Sequence, residues 1–427
     1  MKHSFKFCCL AVAAIALSAA LFTGCKENDS KEPYQIKLFE GNPYLAEVWW
    51  GEDYDPAVAT EMLLKKYNAP LEFGGCSSWH KDNFHGRNID WMMRDYATLI
   101  IHLPKSEKVK YASVGLIAGN PLVLKQFLDE NTTIPEELRT FLPASVVDGM
   151  NECGVAINHN IVPYDEKEYE TNGDIASMMV CRYVLDNCAS AQEAVEMLGE
   201  RKVTQALVSI AHDYSHFFIS DPTCSYVVEW IDNEFVATEF MADGNGNYVS
   251  ENGQKAIMTN YFVGAAEKYG FKTNDFFKNH PSGAGIERAE VINEKLETAG
   301  TLEDHLDICK AVWYRQFCQG NAFWPTENSG FYGYDAEKDK AYWFYPDASE
   351  IHWMDNDDIY AAAVALAGSD NVKPYFDTFN DTGDQITVDN DYWFTQHSVV
   401  YDTKALKGYV IVQEGIFSDK VIEISID

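Results

Sequence analysis

Two glycines and a cysteine, Gly74-Gly75-Cys76, are followed at once by a compact run of chemistry, Gly86-Arg87-Asn88-Ile89-Asp90-Trp91. A glycine pair lets the backbone enter conformations closed to other residues. A thiol becomes a strong nucleophile only as the thiolate, so it needs a base or a depressed pKa. No histidine stands at a diagnostic offset from Cys76. One base needs no other residue: the α-amine of Cys76 itself, which titrates near ~8 when unperturbed. That amine is free only if the Gly75–Cys76 bond is cut. The thiol can open the bond itself by attacking the Gly75 carbonyl in an N-to-S acyl shift, leaving a thioester that water hydrolyses. The expected cleavage site is therefore Gly75–Cys76, with Cys76 heading the catalytic chain.

The N-terminus bears on compartment. Residues 1–24 begin with Lys2 and Lys6, continue as a run of apolar and small residues, and end in Leu21-Phe22-Thr23-Gly24 before Cys25, which reads as a signal peptide. The small pair ahead of Cys25 resembles the lipobox of bacterial lipoproteins, in which the cysteine is acylated. Residues 26–33 form a charged tether with nothing to bury. The expectation is an exported lipoprotein held at the outer-membrane bilayer through Cys25, facing periplasm or surface. A net charge of −33, from 66 acids against 33 bases, argues against binding nucleic acid.

Residues 54–67 read as a short helix with Pro56 in its first turn. Strand patterns cover 96–103, 109–118 and 153–161. Helices follow at 174–187 and after Ser190, whose spacing to Glu193 suits a capping box. Strand-like stretches return at 204–211, 215–220, 225–230 and 255–262. Helices at 284–298 and 303–317 precede closing strands at 396–402, 407–414 and 420–425. Strand blocks alternating with helix pairs imply an α+β fold with helices layered on antiparallel sheets. Cys153, Cys181, Cys188, Cys224, Cys309 and Cys318 show no zinc spacing and read as buried thiols, with a disulfide left open. His80, Asp82 and His85, or His212 with His216, do not assemble a ligand set, so no metal and no cofactor is expected.

The motif around Cys76 resembles the N-terminal-nucleophile cysteine hydrolases: the choloylglycine hydrolase, penicillin V acylase and acid ceramidase group, with the penicillin acyltransferases close. The hairpin between Cys76 and Arg87 is shorter than that of bile salt hydrolases. Asp148-Gly149-Met150-Asn151-Glu152, His216 to Asp221, Val227-Val228-Glu229, Met258-Thr259-Asn260 and Gln396 to Asp402 resemble further family segments in the same order. The resemblance implies a four-layer αββα sandwich at 76–427, preceded by a tether and helical propeptide at 25–75. It implies that Asp90 accepts a hydrogen bond from the Cys76 amine and that Arg87 lies beside the thiol. Asn160 is the expected oxyanion donor, with Asn158 on the same strand face as the alternative, and Asn260 and Arg288 complete the site. The implied substrate is an N-acyl amide with an apolar acyl group: a bile-acid conjugate, an N-acyl amino acid or amine, or penicillin V. The aromatic stretch 313–355 is the candidate wall for the acyl part. Acyl transfer on the same scaffold, a non-catalytic ligand-binding surface lipoprotein, and oligomerisation all stay open.

Overall fold

The computed structural model describes residues 34–39, 42–51, 54–66, 76–91, 97–119, 136–163, 173–204, 213–231, 234–264, 285–312, 331–335, 340–344, 352–354, 394–412 and 420–426. The expected signal peptide, Cys25, Gly74-Gly75 and Cys318 lie outside them. The chain opens with β1 (Tyr34–Phe39), β2 (Asn42–Trp50) and α1 (Pro56–Lys66). The hairpin β3 (Cys76–Lys81) and β4 (Phe84–Trp91) is followed by β5 (Ala97–Leu103), β6 (Ser113–Gly119) and α2 (Glu136–Ala144). Next come β7 (Asp148–Asn151), β8 (Ala156–Pro163), β9 (Ile175–Ala176), α3 (Val180–Asn187), α4 (Ala191–Gly199) and β10 (Val203–Thr204). The middle of the chain supplies β11 (Asp213–Ser220), β12 (Cys224–Ile231), β13 (Glu234–Ala242), β14 (Tyr248–Val249) and β15 (Ile257–Met258). Helices α5 (Ile286–Leu296) and α6 (Leu302–Ala311) then precede β16 (Phe331–Asp335), β17 (Lys340–Phe344) and β18 (His352–Met354). The last strands are β19 (Phe394–Asp402), β20 (Lys407–Val412) and β21 (Ile422–Ser425).

Two large sheets result. The first runs β1-β2-β5-β6-β7-β8-β11-β12-β13-β14 and the second β15-β3-β4-β19-β20-β21. In the first, β2 and β5 pair in parallel and every other neighbouring pair is antiparallel. Period-2 alternation sorts each strand between two environments. Leu45, Ile100, Val114 and Leu116 of the first sheet meet Val399, Tyr401, Val410 and Val412 of the second in one apolar cluster. The opposite face of the first sheet, with Ile157, Phe217 and Val228, packs under α1, α3 and α4. Trp79 and Val400, on the far face of the second sheet, pack against α5 and α6. The layers are therefore helix, sheet, sheet, helix: the expected αββα order.

Local chemistry explains most boundaries. Asp55 caps α1 by accepting the Ala57 and Val58 N–H groups, with Pro56 at the first helical position. Thr301 and Asp304 form a reciprocal capping box on α6. Ser190 caps α4, although Glu193 reaches back to Ala189 N–H and not to Ser190. Three expectations change. The helix read over 174–187 starts only at Val180, after a two-residue strand and a 3-10 turn. The strand read over 255–262 ends at Met258, because the backbone beyond it bonds to side chains instead of a neighbouring strand. Residues 34–50, read as part of a tether and helical propeptide, form a hairpin that joins the large sheet.

The layer between the sheets is also where histidines are buried. Burial holds His85, in that layer, down to about 4; His159, on the helix-facing side of the first sheet against Phe217, sits at about 3, and His305, in the α6 layer, at about 4. Unfolded histidine titrates near ~6.5, so below that pH the unfolded chain takes up protons that these rings refuse. Burial lifts Asp90 to about 7 and Asp186 to about 6, which acts in the opposite sense, but the histidine shifts are the larger set. Stability is therefore expected to fall as pH drops from roughly 6.5 to 4. Urea midpoints measured across that window test this, and His85→Gln should flatten the slope.

Candidate active site

Cys76 is the first residue of β3, and the register of the β3–β4 hairpin decides what surrounds it. Cys76 faces Ile89, Ser78 faces Arg87 and His80 faces His85, so these six side chains share the face turned to the other sheet. Asp82 turns the hairpin with φ 54°, a left-handed conformation that aspartate tolerates better than most residues. Gly86 is needed opposite Trp79, since a Cβ there would sit 2.2 Å from the indole ring. Arg87 and Asp90 are three apart, so alternation sends them to opposite faces of β4.

On the inner face, Arg87 is fully buried and its Nη2 lies 3.9 Å from Cys76 Sγ. The same Nη2 donates to His159 O at 2.8 Å, and Nη1 is paired with Asp148 of β7. Asp148 also accepts Tyr401 O–H at 2.7 Å and contacts His397 Nε2 at 2.9 Å. Burial alone would lift the Asp148 carboxyl; the charge of Arg87 and the contacts of His397 and Tyr401 outweigh it and hold the group below the usual carboxylate range. Burial pushes the Cys76 thiol up, opposed by the charge of Arg87 and by the Asp90 backbone N–H. A thiol held protonated in this way needs a base before it can attack.

On the outer face, Arg288 of α5 gathers the backbone of Cys76. Its Nη1 donates to Cys76 O at 2.5 Å and Ser77 Oγ at 2.8 Å, and lies 3.4 Å from Asp90 Oδ2. Its Nη2 donates to Asn260 Oδ1 at 2.6 Å. Asn260 Oδ1 also accepts the Cys76 N–H at 3.0 Å, while Asn260 Nδ2 donates to Ile161 O at 2.7 Å. Asn260 therefore receives the backbone N–H of Cys76. Asp90 accepts Thr395 O–H at 2.5 Å and pairs with Arg288. A register shift between Thr395 and His397 lets these residues of β19 serve opposite faces, Thr395 toward Asp90 and His397 toward Asp148.

Asn158 and Asn160 share the inner face of β8, and both amides have protein partners. Asn158 Nδ2 donates to Ser78 Oγ at 2.7 Å and Asn160 Oδ1 at 2.9 Å, while its Oδ1 meets His85 Nε2 at 2.8 Å. Asn160 Nδ2 donates to Thr259 O at 3.1 Å, next to Asn260. Cys76, Arg87, Asp90, Asn260 and Arg288 thus form one contact network, and Asn160 borders it. Asp148, His397, Thr395, His216 and Glu229 were given no role by sequence, although each lies in or beside a segment that drew notice. Most of the aromatic stretch 313–355 lies outside the described residues; its β16–β18 form a separate three-stranded sheet. Among the described residues no cluster suited to a metal ion occurs, and no cysteine is paired.

Residues 77–236 match the family of linear amide C-N hydrolases named for choloylglycine hydrolase. The matched stretch carries Arg87, Asp90, Asn158 and Asn160, and it supports hydrolysis of a linear amide C–N bond. Among solved structures, a penicillin V acylase from Agrobacterium tumefaciens is 15% identical over 79% of this chain and 83% of its own, with a TM-score of 0.33. A conjugated bile acid hydrolase from Clostridium perfringens is 17% identical over 83% of this chain and 92% of its own, with a TM-score of 0.37. A Caenorhabditis elegans ortholog of N-acylethanolamine-hydrolyzing acid amidase is 13% identical over 61% of this chain and 92% of its own, with a TM-score of 0.32. No curated protein sequence matches the chain.

The Arg87–Asp148 pair can be tested against an apolar replacement. Asp148→Leu alone leaves a buried guanidinium uncompensated and is expected to cost about 3–5 kcal/mol. Arg87→Met with Asp148→Leu should recover much of that loss, because two desolvated charges leave together. Chemical denaturation of the three proteins gives the answer: no recovery in the double variant would mean that the pair matters for packing rather than charge.

Proposed function

We propose that the chain is an amidohydrolase that cuts its own Gly75–Cys76 bond and then uses Cys76 as an N-terminal nucleophile. The observation that carries this reading is the threefold hold on Cys76: its N–H on Asn260, its thiol beside Arg87 and its carbonyl gripped by Arg288. In maturation the thiol attacks the Gly75 carbonyl carbon, the acyl group moves from nitrogen to sulfur, and water hydrolyses the thioester. The freed α-amine then takes the thiol proton, and the thiolate attacks the substrate carbonyl. Asn160 is the oxyanion donor in this reading, with Asn158 held against His85; a donor of this kind contributes roughly 3 kcal/mol. The ammonium returns its proton to the leaving amine as the C–N bond breaks. A water molecule then releases the acid, giving its proton to the amine.

The substrates are N-acyl amides with an apolar acyl group, of the bile-acid conjugate, N-acyl amino acid or amine, and penicillin V classes. The leader and Cys25 support an exported lipoprotein anchored in the outer membrane. Intact mass of purified protein should give two chains, the second running Cys76–Asp427. Cys76→Ala should remain a single chain and hydrolyse none of a panel of taurocholate, N-acylethanolamines, N-acyl amino acids and penicillin V. An uncut wild-type chain with full activity would sink the mechanism.

Asp90 gives a pH signature. Burial raises its carboxyl to about 7, against the charge of Arg288 and the hydroxyl of Thr395. Its charged form holds Arg288 on the Cys76 backbone, so kcat/KM should climb as pH rises through about 7. Asp90→Asn should lower kcat by ~100-fold and flatten that limb. An unchanged limb in the variant assigns it to another group, such as the Cys76 amine.

A further inference from the structure

The segment after β15 carries Asn260 and, among the described residues, is not part of any strand. Three polar side chains stand in a row across the first sheet instead. Asn160 of β8 lies opposite His216 of β11, and Glu229 of β12 lies next along the row, within 3.2 Å of His216. All three are buried on the face turned to the second sheet. Asn160 Nδ2 and His216 Nε2 both reach Thr259 O, at 3.1 and 3.0 Å. Glu229 Oε1 accepts Val263 N–H at 2.9 Å, and Oε2 accepts Gly264 N–H at 2.7 Å. The row thus grips residues 259 and 263–264, on both sides of the asparagine that receives the Cys76 N–H.

Proton counting shows why Glu229 must be a carboxyl group. His216 donates from Nε2 to a carbonyl, which can only accept. Its Nδ1 faces Glu229 Oε1 at 3.2 Å, an oxygen already accepting Val263 N–H. Two backbone N–H groups and one ring nitrogen therefore converge on a single carboxylate, which an amide side chain with one oxygen cannot satisfy. Gly264 fits the same purpose: a Cβ there would lie 3.1 Å from Glu229 Oε2 and 2.7 Å from Val236 Cγ1.

We propose that Glu229 and His216 are positioning residues that set Asn260 against Cys76, acting through the backbone of residues 259–264. The consequence for turnover rests on the hydrolase reading above; the consequence for structure does not. In the uncut Cys76→Ala chain, adding Glu229→Gln or Gly264→Ala should speed amide hydrogen exchange at residues 263, 264 and 76 by ~10-fold or more, leaving α4 unchanged. In cut wild-type protein assayed with penicillin V and an N-acyl amino acid, Glu229→Gln should lower kcat ~10- to 100-fold with KM within about threefold. Combined with Asn260→Ala, it should add no further loss, since both changes remove the same contact. Faster exchange in a protein that hydrolyses no amide leaves the clamp standing and removes the hydrolase reading. Unchanged exchange at residue 76, or losses that multiply in the double variant, overturns the clamp.

Discussion

A guanidinium with no solvent exposure has to be neutralised where it stands, and Arg87 is neutralised by Asp148 from the opposite sheet. Desolvating each charge costs several kcal/mol, so the pair persists only with its remaining hydrogen-bonding capacity well used. Arg87 adds a backbone carbonyl of β8, and Asp148 adds a hydroxyl and an imidazole of β19. Strands of both sheets are thereby tied at one point, and the thiol of Cys76 is placed beside a fixed positive charge.

The space between the sheets is divided accordingly. One part is an ordinary apolar core of leucine, isoleucine and valine with Tyr401. The other is a polar layer in which His85, Ser78, Asn158 and Asn160 bond one another. Such a layer contributes less to stability than well-packed apolar side chains, and it is sensitive to protonation. It supplies instead fixed donors and acceptors beside the buried Cys76. The helix-facing sides of the sheets carry larger apolar clusters, which hold the sandwich together while the inner layer serves the site.

The N-terminal segment belongs to that sandwich. Trp50, Tyr54, Ala59 and Leu63 are buried in the same cluster as Leu99, Ile101 and Met179. A break before Cys76 would therefore separate two pieces that share a core and a sheet edge, with β2 hydrogen-bonded along β5.

The sequence by itself carried the expectation of a nucleophile and a cut at Cys76, and it determined the alternation that puts Arg87 and Asp90 on opposite faces and most elements with strong periodicity or caps, such as α1 and α6. These follow from local chemistry: glycine before cysteine, side-chain period, capping residues. The hairpin at 34–50 was illegible because its partner strand, Ala97–Leu103, is distant in sequence and paired in parallel. The end of β15 was illegible for a similar reason: Thr259 to Gly264 look like strand but are held by Asn160, His216 and Glu229, from three other strands. Only the tertiary structure decided that Asp148 supports Arg87, that Thr395 and His397 flank the site from either side of a bulge, and that the Cys76 N–H rests on Asn260. Each depends on which strands become neighbours, and strand neighbourhood is set by burial across the whole sheet, which no local pattern encodes.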